Sequence, residues 1–173
     1  KGDELASSEK AMIAIGQESG VFEVEPTQDA KVITPEKLKQ IDVLMFYTTG
    51  ALPISDENWK AVQDWVASGK GGFIGIHSAT DTGWKYGGKE GMDYTTFING
   101  KFAGHPWGQG TKIKIAATDP SHPTIASWGP SADHDDEIYQ YSNYDPKVVR
   151  VLQCIDFQNT ALAAHTDALF AAA

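Results

Sequence analysis

Apolar and polar positions alternate along this chain with two different periods. Leu5, Met12, Ile13 and Ile15 lie roughly on one face of a helix predicted over 5–19, and Gly20 follows as a stop signal. Val21 to Glu25 alternates apolar and polar, which predicts a strand ended by Pro26. Thr34 and Pro35 read as the N-cap and first residue of a short helix. The unbroken run Asp42-Val-Leu-Met-Phe-Tyr47 is of the type expected in a strand covered on both faces. Ser55 then caps a helix with acidic residues in its first turn, and Trp59, Val62, Trp65 and Val66 recur at helical spacing toward Gly69. That spacing assigns both tryptophans to the core. A tight turn at Gly69-Lys-Gly-Gly72 leads into a strand from Phe73 to Ile76. Strand, helix, strand in succession predicts a right-handed parallel α/β sheet.

The pattern changes at Thr82. Residues 82–111 are rich in Gly, Lys, Tyr and Trp, with one short helix expected around Tyr94 to Asn99. A loop-rich insert directly after a strand's carboxyl end is expected to shape a site. Strict alternation returns in Thr111-Lys-Ile-Lys-Ile-Ala116, a predicted strand. Glu137–Tyr141 and Lys147–Leu152 predict two more, as antiparallel additions.

Composition narrows the classes. At 173 residues the chain fits one domain with a sizeable core, and its net charge of -9 argues against general affinity for nucleic acid or anionic membrane surfaces. No stretch approaches the ~18 continuous apolar residues of a membrane helix, so no membrane span is expected. The lone Cys154 cannot form an intrachain disulfide and reads as an inert thiol in a strand. The chain starts at Lys1 without an initiator Met and closes on alanines, so both ends read as those of a fragment. Cytoplasmic and exported (periplasmic or extracellular) locations both fit, as does assembly into a homo-oligomer or a larger complex.

Candidate chemistry sits in polar clusters at the ends of apolar runs. His77-Ser78-Ala79-Thr80-Asp81 follows a predicted buried strand, where open α/β sheets place ligands. His77 and Ser78 are adjacent and so point apart, and no Gly-x-Ser-x-Gly elbow is present. Phe102, His105 and Trp107 fall within six residues and can line a sugar-binding wall or anchor a buried loop. Asp119-Pro-Ser-His122-Pro reads first as turn chemistry. In Asp133-His-Asp-Asp-Glu137-Ile-Tyr139, Glu137 and Tyr139 are two apart and would share one face of a strand. Asp133 and Asp135 read as a solvated acidic loop. No metal-ligand spacing of the His-Glu-x-x-His or paired-Cys kind occurs, and no metal or cofactor is expected.

Taken together, Asp42–Gly50, Gly72–Asp81, Asn99-Gly-Lys-Phe-Ala-Gly-His-Pro106, Ser121-His-Pro123 and Asp136-Glu-Ile-Tyr139 resemble, in this order, the ThuA-like (trehalose utilisation) family. The resemblance runs over roughly residues 5 to 156. It implies an α/β fold of the flavodoxin-like, class I glutamine amidotransferase-like type, a three-layer sandwich with a mainly parallel central sheet, and one domain over 1–173. It implies that the family's first strand and true C-terminal segment are missing, with Ala164-His-Thr-Asp167 a remnant of the latter. In that fold the strand matching Phe73–Ile76 leads to an elbow carrying a catalytic Cys; here the turn holds His77 and Ser78. Cys-dependent glutamine hydrolysis is therefore not expected. The resemblance implies instead a role with trehalose or keto-sugars, with a sugar or keto-sugar as ligand. His77 and Glu137 would be the acid/base pair of an isomerase or hydrolase, and Ser78, Asp81, His105, Trp107 and Tyr139 would bind the substrate in a cleft at the carboxyl edge of the sheet. Two other readings stand beside it: a non-catalytic glycan- or protein-binding module of a larger secreted or surface assembly, and metal-dependent hydrolysis by His77, His105 and Glu137.

Overall fold

A computed structural model describes residues 5–84, 93–148 and 150–156. The chain divides into two compact units, Lys1–Phe97 and Ile98–Ala173. Within the first unit, helix α1 (Ser7–Ser19) begins where the Glu9 carboxylate accepts from the Ala6 N–H at 2.6 Å. It ends at Gly20, whose φ of 64° is left-handed, a conformation that favours glycine. The predicted strand at Val21–Glu25 does not form. Val21 is 81% exposed, and among the described residues the segment has no ladder partner. Alternation supplies a strand's side-chain pattern, but the backbone groups still need a neighbour.

Helix α2 (Pro35–Leu38) starts as expected, with Thr34 Oγ1 accepting from the Lys37 N–H at 3.2 Å. Strand β1 (Val43–Phe46) and the two-residue β2 (Gly50–Ala51) follow. Helix α3 (Asp56–Ala67) is capped by the Ser55 hydroxyl, which accepts from the Asn58 N–H at 3.2 Å. Such a cap contributes about 1 kcal/mol. Strand β3 (Gly72–Gly75) lies parallel to β1, and β4 (Thr82–Trp84) parallel to β2. Helix α4 (Tyr94–Phe97) closes the unit.

Register explains the core. Leu44 is paired with Phe73 and Phe46 with Gly75, so these side chains share a face of the β1–β3 pair. On that side Phe46 and Phe73 meet edge-on with centroids 5.0 Å apart, and Trp59, Tyr94 and Phe97 complete a ring cluster. Trp59 and Trp65 are buried, as their spacing predicts. The other face is not covered as the apolar run suggests: Val43 and Ile74 are exposed.

The second unit is antiparallel. Strand β5 (Lys101–Trp107) pairs with β8 (Ile138–Ser142), and β6 (Lys112–Ala117) lies between β7 (Ser131–Asp135) and β9 (Gln153–Ile155). The α/β class therefore holds, with small parallel and antiparallel sheets. Three local readings change. Residues 101–107 form a strand where a loop was expected; Asp133 and Asp135 lie in β7; and the last strand is Gln153–Ile155 rather than Lys147–Leu152. Among the described residues of the run at 147–152 none belongs to a ladder, and the run lies just before β9. Cys154 sits in β9, as expected, but is exposed. The remnant Ala164–Asp167 and residues 85–92 of the insert lie outside the described residues.

Candidate functional site

Each unit carries some of the expected site residues at a strand end. In the first, β3 stops at Gly75, and the chain turns sharply through a 3-10 segment, His77–Asp81. Ile76 is still extended, with φ -112°, whereas His77 has φ 47°. A positive φ at a residue with a side chain is strained by ~1–3 kcal/mol and persists only where neighbours enforce it. A strained residue on a sharp turn after a parallel strand is the geometry that presents a reactive side chain at a sheet's carboxyl edge. His77 is exposed there, whereas Ser78 and Asp81 are half-buried.

Threonine hydroxyls hold this turn. Thr80 Oγ1 donates to the His77 carbonyl at 3.1 Å, Thr82 Oγ1 to the Ser78 carbonyl at 3.5 Å, and Thr49 Oγ1 to the Asp81 carbonyl at 3.5 Å. Thr82 is also 2.9 Å from the hydroxyl of Thr48, just past the end of β1. The sequence reading did not assign Thr48, Thr49 or Thr82 to the site. The available signal was several threonines clustered after two neighbouring strands, a pattern that side chain-to-backbone bonding favours.

In the second unit an aromatic patch lies on the β5–β8 pair. Phe102 pairs with Tyr141, but Gly104 pairs with Gln140, so β5 carries one extra residue between them. Gly104 has φ 129°, a value L side chains rarely adopt. In a regular strand Phe102 and His105, three apart, would face opposite ways; the bulge reverses the parity and turns both to one side. Their centroids are 5.9 Å apart, Phe102–Tyr139 is 4.7 Å, and His105 stacks on Tyr139 at 5.6 Å with 24° between planes. Phe102 and Tyr139 are half-buried and His105 is exposed, so the patch is open to a ligand.

Trp107 does not join it. A second register shift pairs Trp107 with Ile138, whose side chain is buried on the other face from Tyr139. Glu137 lies one residue before β8 and is half-buried, and its N–H donates to the Asp136 carboxylate at 2.8 Å. His77, Ser78 and Asp81 thus belong to the first unit, and His105, Trp107, Glu137 and Tyr139 to the second.

The remaining polar clusters resolve into local structure. Asp119 Oδ1 accepts from the Ser121 hydroxyl at 2.7 Å and its N–H at 3.2 Å, and His122 Nδ1 accepts from the Thr124 N–H at 3.3 Å. This is turn chemistry, as the Asp-Pro and His-Pro pairs predict. The Ser121 hydroxyl and then the Arg150 guanidinium hold the Asp119 carboxyl below the usual carboxylate range. Asp133 pairs with Lys114 across the ladder at 3.1 Å. Among the described residues no three His, Cys, Asp or Glu side chains form a group that can hold a metal ion. Among the described residues no helix is long and apolar enough to cross a membrane.

With this geometry in place, comparison with known proteins is informative. A crystal structure of a ThuA-like protein from Bacteroides uniformis matches with a TM-score of 0.69 and 20% identity. The match covers 91% of this chain and 66% of that one, so the chain spans slightly less than two thirds of its length. At this identity the likeness speaks for the fold. No curated protein matches. The sequence profile of the trehalose utilisation family fits residues 2–169, which takes in both units. The chain belongs to the ThuA family, whose description is trehalose utilisation.

Proposed function

We propose that this domain binds a neutral sugar or keto-sugar against the Phe102–His105–Tyr139 patch and that His77 carries acid/base chemistry on it. The patch is the observation that carries the reading. Sugar rings expose apolar C–H faces, which pack on flat aromatic surfaces, and an open cluster of rings on a bulged strand supplies such a surface. A net charge of -9 suits a neutral ligand better than an anionic one. His77 is the acid/base candidate because a strained turn presents it at a strand end, and imidazole exchanges protons near neutral pH. Glu137 is its proposed partner, and Ser78 and Asp81 are proposed to bind hydroxyl groups of the ligand. The parallel pairs of the first unit are, in this reading, part of a flavodoxin-like sandwich, and residues 1–173 belong to one ThuA-like domain.

The test is a panel of trehalose, simple glucosides and their 3-keto forms, assayed for binding and turnover with wild type, Tyr139→Ala and His77→Ala. Tyr139→Ala is expected to weaken binding at least tenfold, in line with ~1–3 kcal/mol for a lost stacking surface. His77→Ala is expected to abolish turnover while leaving binding within about threefold. Binding without turnover by the wild type would favour the glycan-binding module instead. Equal turnover by wild type and His77→Ala would sink the catalytic assignment.

A further inference from the structure

We infer that Thr82 and Thr48 are positioning residues for His77: a buried hydroxyl relay that joins the carboxyl ends of two parallel strands and holds the strained turn in place. The inference rests on the proposal that His77 is the acid/base group. Three observations lead to it.

The first is the strain itself. His77 at φ 47° cannot be maintained by its own preferences, and the backbone bond that returns from this turn to β3 runs from the Ala79 N–H to the Ile76 carbonyl, at 3.0 Å. Something else must fix the carbonyls that follow. The second is connection. Thr82 Oγ1 reaches the Ser78 carbonyl at 3.5 Å and the Thr48 hydroxyl at 2.9 Å, a contact in which either oxygen can donate. The relay therefore runs from Thr48 through Thr82 to the residue after His77. The third is placement. Thr82 is 3% exposed, the buried polar residue among the described core, so its hydroxyl has no competing water. Thr48 follows β1 by two residues, just beyond the last pair of the β1–β3 ladder, Phe46 with Gly75. The Ile76 N–H donating to the Phe46 carbonyl at 2.9 Å carries the ladder up to that point.

A hydroxyl relay differs from an ordinary buried packing contact in a way that can be read. Thr82→Val keeps the shape and removes the hydroxyl; Thr82→Ser keeps the hydroxyl and removes a methyl. If the role is packing, Val is the milder change. If it is positioning, Ser is. Both variants are compared with wild type by melting temperature, by turnover on the trehalose, glucoside and 3-keto panel, and by NMR of His77, whose Cα and Cβ shifts report the sign of φ. We expect all three proteins to fold. Thr82→Val should lose at least tenfold in kcat with KM within about threefold, and Thr82→Ser should stay within about threefold in both. The positive-φ shifts of His77 should persist in Thr82→Ser and vanish in Thr82→Val. Positive-φ shifts retained in a folded Thr82→Val overturn the inference, whatever the activity. A wild type that turns over none of the panel overturns the functional reading alone, because the NMR comparison still decides whether Thr82 sets the His77 backbone.

Discussion

Gly71 illustrates how one position can carry a whole packing constraint. A Cβ built there would lie 1.8 Å from the Trp65 ring, and Trp65 is buried and cannot swing aside freely. Gly71→Ala is expected to destabilise by ~2–3 kcal/mol, the range for overpacking a core; an unchanged urea midpoint would show that the ring has room to move. Tyr94 is the opposite case. It is 1% exposed and its hydroxyl has no hydrogen-bond partner among the described residues, so burial pushes the phenol up from its ordinary value and keeps it neutral. Removing an unsatisfied buried hydroxyl while keeping the ring relieves a desolvation cost of ~1–3 kcal/mol. Tyr94→Phe should therefore be neutral or stabilising, and a loss of more than ~1 kcal/mol in denaturant unfolding would reveal a partner for the hydroxyl. The sequence placed Tyr94 in a short helix and Trp65 in the core. It could not show the Gly71–Trp65 contact, because that depends on which way the ring turns.

At the scale of elements, the helices were legible and several strands were not, for a physical reason. A helix satisfies its own backbone, so caps such as Thr34 and Ser55 and the spacing of Trp59, Val62 and Trp65 suffice to place it. A strand depends on a partner that sequence does not name. Val21–Glu25 alternates yet stays unpaired among the described residues, while Lys101–Trp107, with Gly104 and Pro106 inside it, forms a strand because β8 lies beside it. The sequence reading located the candidate site by its strand ends but missed the threonines that hold His77, since their role depends on the β1–β3 register. Elements also set the response to acid. The turn after β6 is tied to the segment before β9: the Thr118 N–H donates to the Leu152 carbonyl at 2.9 Å, and Arg150 pairs with Asp119. The depressed Asp119 carboxyl contributes stability that is present above its unfolded value of ~3.9 and is lost as pH falls through its lower folded value. Melting temperature should thus be insensitive to this group above about pH 5 and fall below about pH 4. Asp119→Asn should flatten that part of the acid limb, and an identical limb in the variant would discount the clasp.

For the whole molecule, family and class were readable because they rest on strings spread along the chain. Asp42–Gly50, Gly72–Asp81 and Asp136–Tyr139 each take in a strand terminus in the structure, where turn and ligand chemistry constrain residue type. The covering of the parallel pair was not readable: an apolar run signals burial, and the exposure of Val43 and Ile74 depends on what else stands beside the sheet. The bulge in β5 has a consequence for how the domain could change what it recognises. Because one supernumerary residue decides which rings look outward, inserting one residue into β8 between Gln140 and Tyr141 would give it a partner, restore regular pairing at that point and send Phe102 and His105, three apart, to opposite sides without altering any aromatic side chain. Such an insertion should abolish the proposed sugar binding by a protein that still folds, and retained binding would mean the rings do not act together. A change of chain length by one codon, rather than any substitution, is then the shortest mutational route by which a member of this family could lose or exchange its ligand.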